Sequence, residues 1–293
     1  MGVQTPHSLH FDNWKAQLTI SPRTVVQYTK DVQLFIKQFP SIEDVTKKEV
    51  SLWMDKLTAK GDTRGIQHRI IKACRNYWKF LARYHIQGMV EAPFHQVILA
   101  DKGKKKPPRE PFKPHEIVEL WTIARANDDY VLADLIAMGA YTGARVEELC
   151  SLLIKDVGDD VFNIIDAKTL AGVRSVPIHS HIKAIIKRLK ENAEEDYLIP
   201  TLSFDRFNKR AGALIGRFSK MKTKAGYGAT KTLHSLRHSF ITSLSNASVL
   251  EFHIADIVGH EKKGITGKYT KGIDDDVKRV AIEKVSYSFP ELT

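Results

Sequence analysis

Residues 101–111 read DKGKKKPPREP, and no regular element can run through them. Pro107, Pro108 and Pro111 fix φ and remove backbone donors, which ends a helix and bars a central strand. Lys104, Lys105 and Lys106 add a run of like charge that belongs in solvent. The stretch reads as an extended basic linker, and a chain of 293 residues is long enough for an ordinary domain on either side of it. A surface loop would have a similar composition, but the patterns before and after the break differ in kind.

Before the break the pattern is helical. Ser21 followed by Pro22 is a helix start, with Ser as N-cap and Pro in the first turn. Val25, Tyr28, Val32, Phe35 and Phe39 then recur at helical spacing. Thr46 and Glu49 form a capping-box pattern ahead of Val50, Trp53, Met54 and Leu57. A third helix is expected over residues 63–84, with Ile66, Ile70, Cys74, Tyr77 and Leu81 on one side. Arg64, His68, Lys72, Arg75, Lys79 and Arg83 line roughly the opposite side, with no acidic member. Like charges four apart repel on a helix. The uncompensated stripe therefore fits phosphate contacts along a groove better than it fits a plain solvated face.

After the break the pattern is mixed. Helices are expected over residues 116–126, 130–141, 144–153, 182–191, 203–220, 234–246, 250–258 and 274–285. Residues 161–178 read as a hairpin, VFNIID and VRSVPI joined by AKTLAG. The expected fold class is mainly α with a small antiparallel β-sheet. It comprises a helical domain over 1–100, the linker over 101–111, a mixed α/β domain over 112–273, and a C-terminal helix and tail over 274–293.

Charge narrows the partner. Lys and Arg number 45 against 34 Asp and Glu, and residues 1–111 hold 19 of the bases against 10 acids. That excess suggests a polyanion. No apolar run approaches the ~18 residues of a membrane span, and the N-terminus lacks the basic-then-apolar order of a secretory signal. Cys74 and Cys150 fall in helical apolar patterns, and no Cys-x-x-Cys is present. A disulfide scaffold and a zinc site are therefore not expected, and reduced thiols point to a cytosolic-type compartment.

Several short motifs carry possible chemistry. In TGARVEEL, Arg145 and Glu148 are three apart just after a Gly break, so they share a helix face. An Arg there can clamp a phosphate with its planar fork, and Glu148 can orient a neighbouring base; a local ion pair is the plainer reading. In LHSLRHSF, His234 and Arg237 open a helix whose N-terminus favours an anion. His260 follows the Gly that closes another helix, and Tyr269 lies nine residues later in a Gly- and Lys-rich loop. A phenol of pKa near ~10 is a poor nucleophile at neutral pH and needs cations around its target. Lys168 sits at the hairpin tip, where a mobile ammonium can deliver a proton. Lys222 and Lys224, beside Gly226 and Gly228, are expected in a basic loop against a phosphate backbone, as are Lys104, Lys105 and Lys106.

Each motif alone is weak. In order, TGARVEEL, AKTLAGVRSVPI, HSLRHSF and VGHEKKGITGKYT resemble the tyrosine recombinases, also called the phage integrase family. The resemblance is strong over residues 112–272, and the segment SPRTVVQYTKDVQLFI resembles that family's core-binding domain. It implies a helical core-binding domain and a catalytic domain that grip double-stranded DNA as a C-shaped clamp. It also implies a site-specific recombinase (integrase) working through a 3′-phosphotyrosyl bond, without metal, other cofactor or ATP. Carried onto this sequence, Tyr269 is the nucleophile, and Arg145 and Arg237 hold the non-bridging oxygens. His234 and His260 bond the phosphate and assist proton movement, Lys168 protonates the leaving 5′-oxygen, and Glu148 braces the cations.

The implied assembly is a homo-tetramer on two DNA sites, with accessory DNA-bending proteins as further candidates and the C-terminal helix a candidate for exchange between protomers. The implied setting is cytoplasmic and nucleoid-associated, as for a mobile-element integrase. About ten residues precede the core-binding segment, so an arm-binding module is not expected. Two alternatives stay open at this point: a type IB topoisomerase-like nicking-closing enzyme, and a non-catalytic DNA-binding protein of the same fold.

Overall fold

A computed structural model describes all residues except 1–3, 85–92, 100–106, 166–171, 195, 262–271 and 291–293. The chain forms two compact units, Met1–Lys106 and Pro107–Thr293. Lys104, Lys105 and Lys106, with most of the expected linker, lie outside the described residues.

The first unit holds four described helices: α1 (Ser8–Ala16), α2 (Pro22–Gln38), α3 (Lys47–Ala59) and α4 (Arg64–Tyr84). The expected caps are in place. Ser21 Oγ accepts from the Thr24 N–H at 3.4 Å, and Thr46 Oγ1 accepts from the Glu49 N–H at 3.2 Å. The periodic apolar residues of α2, α3 and α4 meet in one aromatic-rich core built on Val32, Phe35, Trp53, Tyr77, Trp78 and Leu81. A buried carboxylate crosses it, since Asp31 on α2 accepts from Arg69 on α4 at 2.9 and 3.0 Å. Helix α1 is absent from the sequence reading because it buries one residue only, Trp14, and so shows no periodicity. That indole fills the core and donates to Asn76 Oδ1 at 2.8 Å.

The second unit wraps around α6 (Tyr130–Thr142), buried from Leu132 to Thr142. Helices α5 (Pro114–Ala126) and α10 (Ser235–Asn246) pack against it. Helix α7 (Val146–Cys150) follows, then the antiparallel pair β1 (Val161–Ile164) and β2 (Arg174–Pro177), with Phe162 opposite Val176. Helices α8 (Lys183–Glu191), α9 (Gly212–Lys224), α11 (Glu251–Val258) and α12 (Asp275–Ile282) are its other described helices. Helix α12 lies on β2, and Ala281, Ile282, Val285 and Tyr287 enter this unit's own core. The protein is thus mainly α with a small antiparallel sheet, as expected.

Three boundaries differ. Residues 203–211 are not helical, because the Asp205 carboxylate accepts from the Phe207 and Lys209 N–H groups at 2.8 and 3.0 Å. Such local bonding offers the backbone an alternative to a helix. The helix expected over 144–153 shrinks to α7, because Arg145 is extended (φ −70°, ψ 143°) as its N-cap. The last helix stops at Ile282 rather than at 285, and Val285 turns inward instead. Among the described residues no helix is long and apolar enough to cross a membrane.

Trp14 tests the place of α1 in the first core. Trp14→Ala is expected to cost about 3–5 kcal/mol in urea denaturation. Trp14→Phe, which loses chiefly the bond to Asn76, is expected to cost clearly less.

Candidate functional site

Two left-handed glycines shape the ends of two helices in the second unit. Gly143 closes α6 at φ +60°, and a Cβ there would lie 2.3 Å from the Phe240 ring, so no larger residue fits. Its carbonyl accepts from Arg237 Nη1 at 2.8 Å. Gly259 closes α11 at φ +69°, and the His260 N–H caps that helix on the Ala255 carbonyl at 2.9 Å. The Gly259 carbonyl accepts from Arg145 Nη2 at 3.2 Å. The two helix ends and the N-termini of α7 and α10 thus bring Arg145, Glu148, Arg237 and His260 together.

Glu148, almost wholly buried, is the anion at the centre. Arg145 Nη1 donates to its Oε1 at 2.6 Å, the Arg145 backbone N–H to its Oε2 at 2.8 Å, and Arg174 Nη2 to the same Oε2 at 3.1 Å. Burial pushes this carboxyl up, but the Arg174 charge and the hydrogen bonds from both arginines outweigh it and hold the group below its ordinary value. Arg237 fares differently. It is 3% exposed, and its Nη2 has no partner among the described residues. Burial, then repulsion from Arg145 and Arg174, brings its guanidinium down to about 9.

The histidines feel the same field. His234 is the N-cap of α10, and burial, then the charges of His238, Arg237, Arg109 and Arg145, push it down to about 4. Desolvation and then Arg237, Arg145, Arg174 and His238 lower His260. Two guanidinium groups therefore share one carboxylate, a third stands close by without bonding it, and neutral imidazoles stand beside them. Such a pocket has the chemistry to bind a tetrahedral anion and to stabilise added negative charge on it. Among the described residues no group of His, Cys, Asp and Glu could hold a metal ion.

Arg145, Glu148, His234, Arg237 and His260 are thus brought together, whereas Lys168 and Tyr269 lie outside the described residues. The chain on the far side of the Tyr269 segment is fixed where it returns, as the Ile273 N–H donates to Asp256 Oδ2 on α11 at 2.6 Å. The stripe on α4 is exposed at Arg64, His68, Lys72, Arg75, Lys79 and Arg83. Arg75 differs from the expectation, because its guanidinium donates to the Phe94 carbonyl at 2.7 and 3.2 Å and ties down that segment. Lys222 is a correction: it is buried on the last turn of α9, and its ammonium caps the carbonyls of Tyr227 (3.2 Å) and Gly228 (2.5 Å). Lys224 is exposed, at the end of a helix rather than in a loop.

Three basic residues, two arginines and a histidine, escape the sequence reading. Arg174 looks like any strand residue in VRSVPI, and only the strand's packing turns it onto Glu148. His238 stands one helical turn from His234, its ring centroid 5.2 Å away; that spacing was available as a signal. Arg109, in the Pro-rich stretch, acts on both histidines through its charge.

Comparison with known proteins agrees with this geometry. The sequence model of the phage integrase family matches residues 110–275, and that of the phage integrase N-terminal SAM-like domain matches residues 11–85. The chain is 26% identical to tyrosine recombinase XerC of Bacillus licheniformis, over 93% of each chain. It is 27% identical to the XerC of Oceanobacillus iheyensis, over 92% of this chain and 93% of that one. Among solved structures, a lambda integrase dimer bound to a COC′ core site superposes with a TM-score of 0.71 at 18% identity, over 99% of this chain and 81% of that one. The Tn1549 transposon integrase in complex with a circular intermediate DNA gives 0.69 at 18% identity, over 97% and 100%. These likenesses show the fold.

His234 reports on the pocket. In the free protein its ring is expected to titrate near about 4 rather than at 6.5, and NMR of the ring nitrogens reads this directly. Inorganic phosphate in the pocket should raise that midpoint, because an anion favours the charged ring. By the same sign this histidine takes nothing from stability above pH 6.5, and its neutral burial costs stability as the pH falls from there toward 4.

Proposed function

Given that the chain belongs to the phage integrase family, we propose that it cleaves and rejoins double-stranded DNA at specific sites through a phosphotyrosyl intermediate. The observation that carries this reading is the uncompensated charge around Arg237, whose Nη2 is buried without a partner among the described residues. A buried donor left unpaired costs free energy, and a phosphate oxygen supplies the missing acceptor.

In the proposed reaction the Tyr269 hydroxyl oxygen attacks the scissile phosphorus and gives its proton to a nearby base, for which neutral His260 is suited. The bond from phosphorus to the 5′-oxygen breaks, a 3′-phosphotyrosyl bond forms, and Lys168 supplies a proton to the leaving 5′-oxygen. Arg145 and Arg237 take the non-bridging oxygens, His234 adds a hydrogen bond, and Glu148 keeps Arg145 oriented. The pentacoordinate transition state carries more negative charge than the diester, so preformed cationic donors stabilise it preferentially. Attack by a 5′-hydroxyl of the other duplex reverses these steps and frees Tyr269. The diester's energy is kept in the tyrosyl bond, so rejoining needs no ATP.

The proposed division of labour assigns the catalytic residues to 112–273 and backbone contacts to the first unit, through the exposed face of α4. Recombination exchanges strands between two duplexes with two cleavages on each, so the working assembly is a homo-tetramer on two sites. Its working place would be the cytoplasm, on nucleoid DNA.

Covalent trapping on a nicked suicide duplex tests the chemistry. The wild type should give a protease-sensitive DNA adduct, and Tyr269→Phe none. Arg237→Ala should slow adduct formation by roughly 10²–10³-fold, the usual cost of one oxyanion donor. An adduct that persists in Tyr269→Phe, or none from wild type fully bound to a verified site, would refute the proposal. For the α4 stripe, replacing Lys72 and Lys79 with alanine should lower the slope of log affinity against log salt by about 2, read by anisotropy titration.

A further inference from the structure

We propose that Arg174 is a positioning residue for this reaction: its guanidinium fixes Arg145 and the end of α11 without itself touching the substrate. Its charge is almost fully buried, at 5% side-chain exposure. All three guanidinium nitrogens are spent on the protein, and on three different parts of it. Nε donates to the Ile257 carbonyl at 2.9 Å, Nη1 to the Gly172 carbonyl at 2.7 Å, and Nη2 to Glu148 Oε2 at 3.1 Å. The other two arginines of the pocket differ from it. Arg145 is one-third exposed, and Arg237 keeps a nitrogen without a partner among the described residues. An anion entering the pocket finds donors there, whereas Arg174, at the bottom of its own set of bonds to the fold, offers it almost no surface.

What Arg174 fixes follows from its partners. Glu148 Oε2 is shared between Arg174 and the Arg145 backbone, and Oε1 takes the Arg145 side chain. Pinning one carboxylate oxygen stops the group rotating, and the orientation of the Arg145 fork follows. At the end of α11, Arg174 takes the Ile257 carbonyl and Arg145 the Gly259 carbonyl, two residues apart, just before His260. The Gly172 carbonyl lies directly after residues 166–171, which carry Lys168, so the same guanidinium also fixes the chain immediately beyond that segment. A lysine keeps the charge, but its compact ammonium has one nitrogen in place of three and cannot span acceptors set around a planar guanidinium fork.

The inference rests on the recombinase reading for its kinetic arm, and a second arm is independent of it. Arg174→Lys should bind site DNA within about twofold of wild type but form the adduct about 10- to 100-fold more slowly, the scale of a small misplacement of reacting groups. Combined with Arg145→Lys it should add little further loss, because Arg174 acts through Arg145; combined with Arg237→Lys the losses should multiply. In the DNA-free protein, the guanidinium N–H signals of Arg145 should exchange faster in Arg174→Lys, while those of Arg237 stay as in wild type. Arg174→Gln, which avoids a buried ammonium, provides the same readout if the lysine variant folds poorly.

A wild-type cleavage rate in Arg174→Lys, or full multiplication with Arg145→Lys, would overturn the proposal. Arg145 signals unchanged in either Arg174 variant would overturn it as well. A wild type that binds its site yet forms no adduct would refute the recombinase reading instead, and the Arg145 signals would still decide what Arg174 does.

Discussion

A single carboxylate, Glu148, makes the second unit's cationic pocket possible. A buried charge costs several kcal/mol unless it is paired and hydrogen-bonded. Arg174 is as buried as Glu148, and Arg145 is partly so. One anion that accepts from both satisfies itself and brings two positive groups close to each other. It cannot neutralise both, and among the described residues Arg237 has only the Gly143 carbonyl. The residue is net positive charge held inside the fold, visible as the depressed arginine and the histidines kept neutral beside it. The cost of holding it is met by folding, so a bound phosphate finds donors that need no reorganisation.

Holding such groups in register demands sharp chain reversals at the helix ends. Gly143 and Gly259 supply them, one at the end of α6 and one at the end of α11, both left-handed. Each also offers its carbonyl to an arginine of the pocket, Gly143 to Arg237 and Gly259 to Arg145. The same two residues thus terminate a helix, turn the chain and orient a cation. At Gly143 the Phe240 ring leaves no room for a Cβ, which couples the turn to the packing of α10, the helix that carries Arg237.

How much of this was legible beforehand depended on the range of the forces involved. Local signals read well. The Ser21 and Thr46 caps, the apolar spacing of α2 through α4, and the antiparallel strand pair are decided by neighbours in sequence, and the structure has them at those places. Helix α1 was missed because its stability comes from one tryptophan reaching into another helix's core. The Lys222 expectation fails in the same way, because the ammonium is claimed by nearby carbonyls that spacing does not reveal, and Arg75, though exposed, also holds a carbonyl of its own unit. Arg174 is the sharpest case. As a letter it is one more base in a basic chain, and its meaning arises only when Glu148, 26 positions away, is folded against it.

The C-terminal segment extends the same logic beyond the pocket. Residues 272–289 are fastened to the second unit along their length. The Ile273 N–H is held by Asp256, Lys278 reaches both Ser175 and Asp275, and Glu283 caps the Ser180 N–H and hydroxyl. Farther on, His179 Nε2 meets the Val285 carbonyl at 2.9 Å while its Nδ1 accepts the His181 N–H, so the buried ring is neutral with its proton on Nε2. Tyr141 and Tyr287 close the end. These residues finish the core rather than decorate it. An exchange of α12 between protomers, which the family resemblance implies as a candidate arrangement, would have to recreate each of these contacts from a second copy. Contacts recreated one for one change the free energy little. The balance between an internal and an exchanged segment would then rest on the chain that joins α11 to α12, which is the stretch that carries Tyr269.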